Sequence, residues 1–118
     1  MLAVGEHWWG EVSPDLVRMA AAFGGGLGGT RQELCGALSG GVMALGYVMG
    51  PEHPGANEER LRALIRRYRE AFEAEIGPTQ CAQLRAELYG PDRPQPCSAL
   101  VQKAVRILLR LAEEAGVP

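Results

Sequence analysis

Three cysteines carry the clearest chemical signal in this sequence. Cys35, Cys81 and Cys97 each stand at or just inside a predicted helix start, where free backbone N–H groups and the helix dipole favour thiolate over thiol. Thiolates attack disulfides and bind soft metals. The separations of 46 and 16 residues match no local zinc pattern, and no Cys-x-x-Cys is present, so any shared chemistry depends on tertiary packing. Thiol redox chemistry needs an exposed thiolate and a second cysteine to resolve the mixed disulfide. Cys81 and Cys97 are the best pair, with Cys35 as a third partner. The same three thiolates are an alternative ligand set for zinc or an iron–sulfur cluster. They leave a tetrahedral site one ligand short, to be completed by His7, His53 or a cysteine of another subunit. A third reading is inert, since free cysteine is among the most buried residue types.

The elements that must position these thiols are helical throughout. The first nine residues read as a helix already under way, since no capping residue precedes Leu2; the chain is expected to begin inside it. His7, Trp8 and Trp9 on this segment read first as packing, with His7 a weak metal candidate. Ser13, Pro14 and Asp15 form an N-cap, a first-turn proline and a dipole-matched acid, predicting a short helix to about Phe23 with Leu16, Val17, Ala20 and Phe23 on one face. Residues 24–29 are five glycines around Leu27. No strand precedes them and no Gly-Lys-Ser/Thr follows, so they read as a tight connector, with Gly24, Gly25, Gly26 and the later Gly36 lining a site, and not as a phosphate loop.

Thr30 and Glu33 match a capping box, predicting a helix from Arg31 to about Met49 that carries Cys35 in its second turn. Its stripe is Leu34, Leu38, Val42, Leu45 and Met49. Gly36 and Gly40 on one side allow close approach of another backbone. Asn57 is expected to cap a long amphipathic helix containing Leu61, Leu64, Ile65, Tyr68, Phe72 and Ile76, closed by Gly77-Pro78. Thr79 caps the next helix, placing Cys81 at its second position, with Leu84 and Leu88 on the buried side. Tyr89–Pro96 is a loop with three prolines, and Cys97-Ser98 opens the last helix. With no strand pattern, the fold class is all-α: a compact bundle of about five helices in a single domain spanning 1–118.

Composition narrows the function classes. Twelve basic residues against 14 acidic give a net charge of −2, which implies neither a nucleic-acid partner nor an anionic membrane. Arginine outnumbers lysine eleven to one, a bias that reads as codon usage or thermal adaptation. The uncharged stretch Leu34–Gly50 has 17 residues diluted by five glycines, so it reads as a buried helix and not a membrane span. An odd cysteine count without a signal peptide points to the cytoplasm, where a structural disulfide framework is not expected.

Cys35-Gly36-Ala37-Leu38-Ser39-Gly40 matches Cys-Gly-Ala-x-x-Gly, preceded by Phe23-Gly24-Gly25-Gly26-Leu27-Gly28 and followed by Cys81 and Cys97 in order. In these motifs the chain resembles the C_GCAxxG_C_C family of redox-active proteins. The resemblance implies a small helical protein with redox-active cysteines. A related domain occurs in split-Soret cytochromes, which bind haem and an iron–sulfur centre. This chain lacks Cys-x-x-Cys-His, so no c-type haem is expected. The family's first cysteine, on an N-terminal helix, has no counterpart before Cys35. A homodimer and an unspecified redox partner complete the expectation, with Trp8, Trp9 and the glycine-lined helix as close-approach surfaces.

Overall fold

The computed structural model describes residues 1–53, 55, 57–87, 89 and 95–117. Six helices follow in order: α1 (Leu2–Trp9), α2 (Pro14–Ala21), α3 (Gly36–Met49), α4 (Glu59–Glu75), α5 (Cys81–Glu87) and α6 (Cys97–Glu114). Among the described residues there is no strand, only isolated bridges joining Leu34 to Gln80 and Tyr89 to Gln95. The all-α expectation holds, with six helices in place of about five. Predicted Leu88 and most of the three-proline loop, 90–94, lie outside the described residues.

Helices α3, α4 and α6 pack on one another as the central trio, and α1 lies against α3 and α6. The 3.6-residue period of α4 buries Leu61, Leu64, Tyr68 and Phe72, while α6 buries Leu100, Ala104, Ile107, Leu108, Leu111 and Ala112. Such stripes are what hold helices too short to be stable alone. One buried cluster joins them to Val4 of α1, Leu38 and Leu45 of α3, and Leu84 of α5. Exposed arginines tie the surface: Arg67 to Glu114 and Arg110 to Glu75 link α4 with α6, contacts that contribute little at exposed sites.

Helix α2 departs from this pattern. Its N-cap is as expected, the Ser13 hydroxyl accepting from the Leu16 amide at 3.4 Å. Yet α2 buries none of its residues, and Val17, Met19 and the nearby Phe23 remain exposed. The face predicted from Leu16, Val17, Ala20 and Phe23 is amphipathic without being covered.

The largest correction concerns the start of α3. It begins at Gly36, with Cys35 as N-cap residue, not at Arg31. Arg31 has φ 63°, a left-handed conformation no helix interior uses, and its amide donates to the Gly25 carbonyl at 2.6 Å. Thr30 turns its hydroxyl back onto the Leu27 carbonyl at 2.8 Å, so the capping box is not made. The hydrophobic stripe survives except for Leu34, which is 46% exposed. Asn57 acts as foreseen from one residue further out: its side chain accepts from the Glu59 amide at 3.0 Å, although Glu58 is the N-cap residue.

Candidate functional site: three thiols around the start of α3

Residues 31–35 do not form a helix because their backbone is engaged by a distant segment. The Cys35 amide donates to the Thr79 carbonyl at 2.7 Å, the Cys81 amide to Glu33 at 2.9 Å and the Ala82 amide to Arg31 at 2.6 Å. The Gln80 side chain adds a bond to the Gln32 carbonyl at 2.7 Å. These carbonyls satisfy the first amides of α5, which would otherwise be unpaired. The antiparallel bridge between Leu34 and Gln80 is the centre of this arrangement.

The bridge places two cysteines together. Successive residues on an extended segment alternate faces, so Leu34 and Gln80 point outward and are exposed, while Cys35 and Cys81 lie on the other side, each 8% exposed. Cys35 stands opposite Thr79, which makes Cys81 its diagonal neighbour, a relation that typically spans about 7–8 Å. A disulfide needs Cα atoms within roughly 4.4–6.8 Å. A small shift of the bridge separates the one geometry from the other.

Cys97 is the first residue of α6 and is exposed. The start of α6 is held by Lys103, the chain's single lysine, whose ammonium donates to the Tyr89 hydroxyl at 3.2 Å and to the Gln95 side chain at 3.3 Å. All three cysteines are free thiols. Burial pushes the Cys35 thiol above its ordinary value, and negative charge on Cys81 or Cys97 pushes it further. The Ala37 and Leu38 amides pull it down but close no capping bond. Desolvation therefore outweighs the helix start at Cys35, opposite to the sequence expectation for this residue.

Tyr68 is a neighbour that the sequence reading placed only in a core stripe. It is 1% exposed, and its hydroxyl sits 3.4 Å from the Ala37 carbonyl and 3.5 Å from that of Ala104. Burial, with the nearby Cys35 thiolate, pushes its ionisation well above the ordinary phenol range. The signal available in sequence was Gly41: a Cβ there would lie 2.8 Å from the Tyr68 ring, so the glycine exists to admit it.

The glycines proposed to line the site divide. Gly36 meets the Phe23 carbonyl and approaches Gly24 and Gly25, while Gly26 has φ 87° and lies against the Arg31 and Glu33 backbone. They fold the 24–33 segment against the N-terminal end of α3. His7 and His53 are exposed on α1 and in the loop after α3. Among the described residues, no three His, Cys, Asp or Glu side chains are arranged to hold a metal ion. None of the described helices is long and apolar enough to cross a membrane; α3 has 14 residues.

Fold and site define the class: a small all-α protein whose three free thiols sit at helix starts, two of them buried and one exposed. The chain belongs to the C_GCAxxG_C_C family, described as "Putative redox-active protein (C_GCAxxG_C_C)", whose sequence profile matches residues 1–111. No curated protein and no solved structure matches it.

Proposed function

We propose that the protein is a thiol–disulfide redox protein in which Cys97 meets the substrate and Cys35 and Cys81 resolve it. The observation that carries this reading is the bridge between Leu34 and Gln80, which sets buried Cys35 diagonal to buried Cys81, with Cys97 exposed at the start of α6. The Cys97 thiolate attacks one sulfur of a substrate disulfide; that S–S bond breaks, one substrate thiolate leaves and takes up a proton, and a Cys97 mixed disulfide forms. Cys35, as thiolate, attacks the Cys97 sulfur and displaces the second substrate thiol. Cys81 then attacks the Cys35 sulfur, moving the disulfide to the buried pair and freeing Cys97. Two protein thiols are oxidised and one substrate disulfide is reduced to two thiols. A reducing compartment such as the cytoplasm would keep the resting protein in the dithiol form.

The test uses glutathione disulfide as substrate, with mass and peptide mapping as readouts. The intact protein loses two hydrogens and maps to a disulfide containing Cys35. Cys97→Ser slows the reaction by roughly tenfold or more, because the remaining thiols are buried, and Cys35→Ser stalls with glutathione attached to Cys97. Equal alkylation of all three thiols at the rate of an unfolded chain, or oxidation without Cys35 in the disulfide, overturns the proposal. We also propose self-association through the glycine-rich loop, where Phe23, Leu27 and Leu34 remain 42–48% exposed; large apolar side chains clustered at a surface favour a partner.

A further inference from the structure

Helix α2 has an apolar face with nothing beneath it, and a cavity explains why. A space of about 410 Å³ lies among α1, α2, α3, α4 and α6. Val4, Tyr68 and Leu108, each at most 1% exposed, form part of its lining, so it reaches the core and is not a surface dimple. Val17, Ala20 and Ala21 of α2 form a further part of the lining, and they belong to a helix that buries no residue. A well-packed interior leaves few voids larger than a water molecule. This volume falls instead within the range of small-molecule sites.

The lining selects the chemistry of an occupant. No charged side chain faces the cavity, its one polar side chain is Tyr68, and the half-buried amino group of Met1, against Gly40, is the one cation at its wall. A cationic ligand would lose its hydration and meet only this like charge. The Tyr68 hydroxyl makes only long contacts, 3.4 and 3.5 Å, with two backbone carbonyls, beyond the usual range for a hydroxyl donor. It can therefore turn to an acceptor offered by a ligand. We infer that this cavity is a binding site for a compact molecule without positive charge, with an apolar body and one hydrogen-bond acceptor, enclosed on one side by α2. Binding would bury Val17, which is 40% exposed without it. The site borders Cys35 through Tyr68 and Gly36 but uses no cysteine side chain.

Acetophenone, toluene and benzylammonium serve as probes, titrated into the full chain and followed by backbone amide chemical shifts. Acetophenone should give saturable shifts at Ala20, Gly36 and Gly41, and toluene, lacking the acceptor, should bind about fivefold to tenfold more weakly, the worth of one hydrogen bond. Benzylammonium should give none. Ala20→Phe, on a helix with no buried residue to disturb, should fill the space and weaken acetophenone at least about tenfold. Tyr68→Phe should reduce acetophenone to the affinity of toluene. Replacing all three cysteines by serine should leave binding unchanged, which separates this inference from the redox reading. Absence of saturable shifts with either neutral probe overturns it, as does equal binding of benzylammonium or indifference to Ala20→Phe in a variant whose spectrum shows it folded.

Discussion

Two glycines in α3 should respond in opposite directions to the same substitution. At Gly41 a Cβ would stand 2.8 Å from both the Cε2 and the hydroxyl oxygen of Tyr68. Tyr68 is 1% exposed, so making room means shifting a packed aromatic ring. Alanine gains about 1 kcal/mol over glycine in a helix interior. Forcing a methyl into a packed core costs about 1–3 kcal/mol, and a 2.8 Å approach to the ring puts Gly41 at the upper end of that range. Gly41→Ala should therefore destabilise the fold by about 1–2 kcal/mol. At Gly46 a Cβ meets nothing within 4 Å, so only the propensity gain remains and Gly46→Ala should stabilise by about 0.5–1 kcal/mol. At about 4 °C per kcal/mol for a domain of this size, the melting temperatures of the two variants should differ by about 8 °C, straddling the parent. Thermal unfolding by far-UV circular dichroism measures this directly. Shifts of the same sign would show that Tyr68 does not occupy the groove that Gly41 leaves, and the contact on which both the thiol neighbourhood and the cavity rest would be wrong.

Alkaline pH should weaken the fold through two buried acids. The ordinary value is 9.0 for the Cys35 thiol and 10.0 for the Tyr68 phenol, and both are raised in the folded state. The unfolded chain therefore loses these protons first and binds fewer of them in this range, so unfolding free energy falls with rising pH. Stability is fully present below 9.0 and declines as pH rises through the folded values. Urea midpoints measured from pH 8 to 10.5 should show the decline, Cys35→Ser should remove its earlier part, and a flat profile in the parent would contradict the burial of both groups. For self-association, light scattering at concentrations of about 10–100 μM should give a dimer mass, with Leu27→Glu together with Leu34→Glu returning the monomer; a parent that is monomeric throughout disproves that interface.

Much of the fold was legible because the relevant chemistry is local. Ser13 and Pro14 mark a helix start that is made as written. The apolar periods of α4 and α6 anticipated their buried faces, and the final helix opens at Cys97. Periodicity also located the α3 stripe from Leu38 onward. What it missed was whether α2 would be covered: the stripe of Val17 and Ala20 is real, but a void beneath a helix depends on the separation of four other helices, and no residue of α2 records that.

The start of α3 shows why the thiol site was only half readable. Thr30-Arg31-Gln32-Glu33 has the composition of a capping box, and a local rule must score it as one. The rule fails here because two other demands win. The glycine loop draws the Arg31 amide onto Gly25, which requires Arg31 at φ 63°, and the first amides of α5 take the carbonyls of Arg31 and Glu33 that a helix would have used internally. The second partner is remote, by about 50 residues. The same displacement sets Cys35 diagonal to Cys81. Had α3 begun at Arg31, Cys35 would have occupied a helical turn facing its own helix. Ending an extended segment instead, it shares the inner face of a bridge with Cys81, at the cost of burying a thiol whose pKa then rises. In the proposed cycle that environment makes Cys35 a poor first nucleophile and leaves it the second step, where proximity compensates for a small thiolate population. The same proposal gives first contact to exposed Cys97.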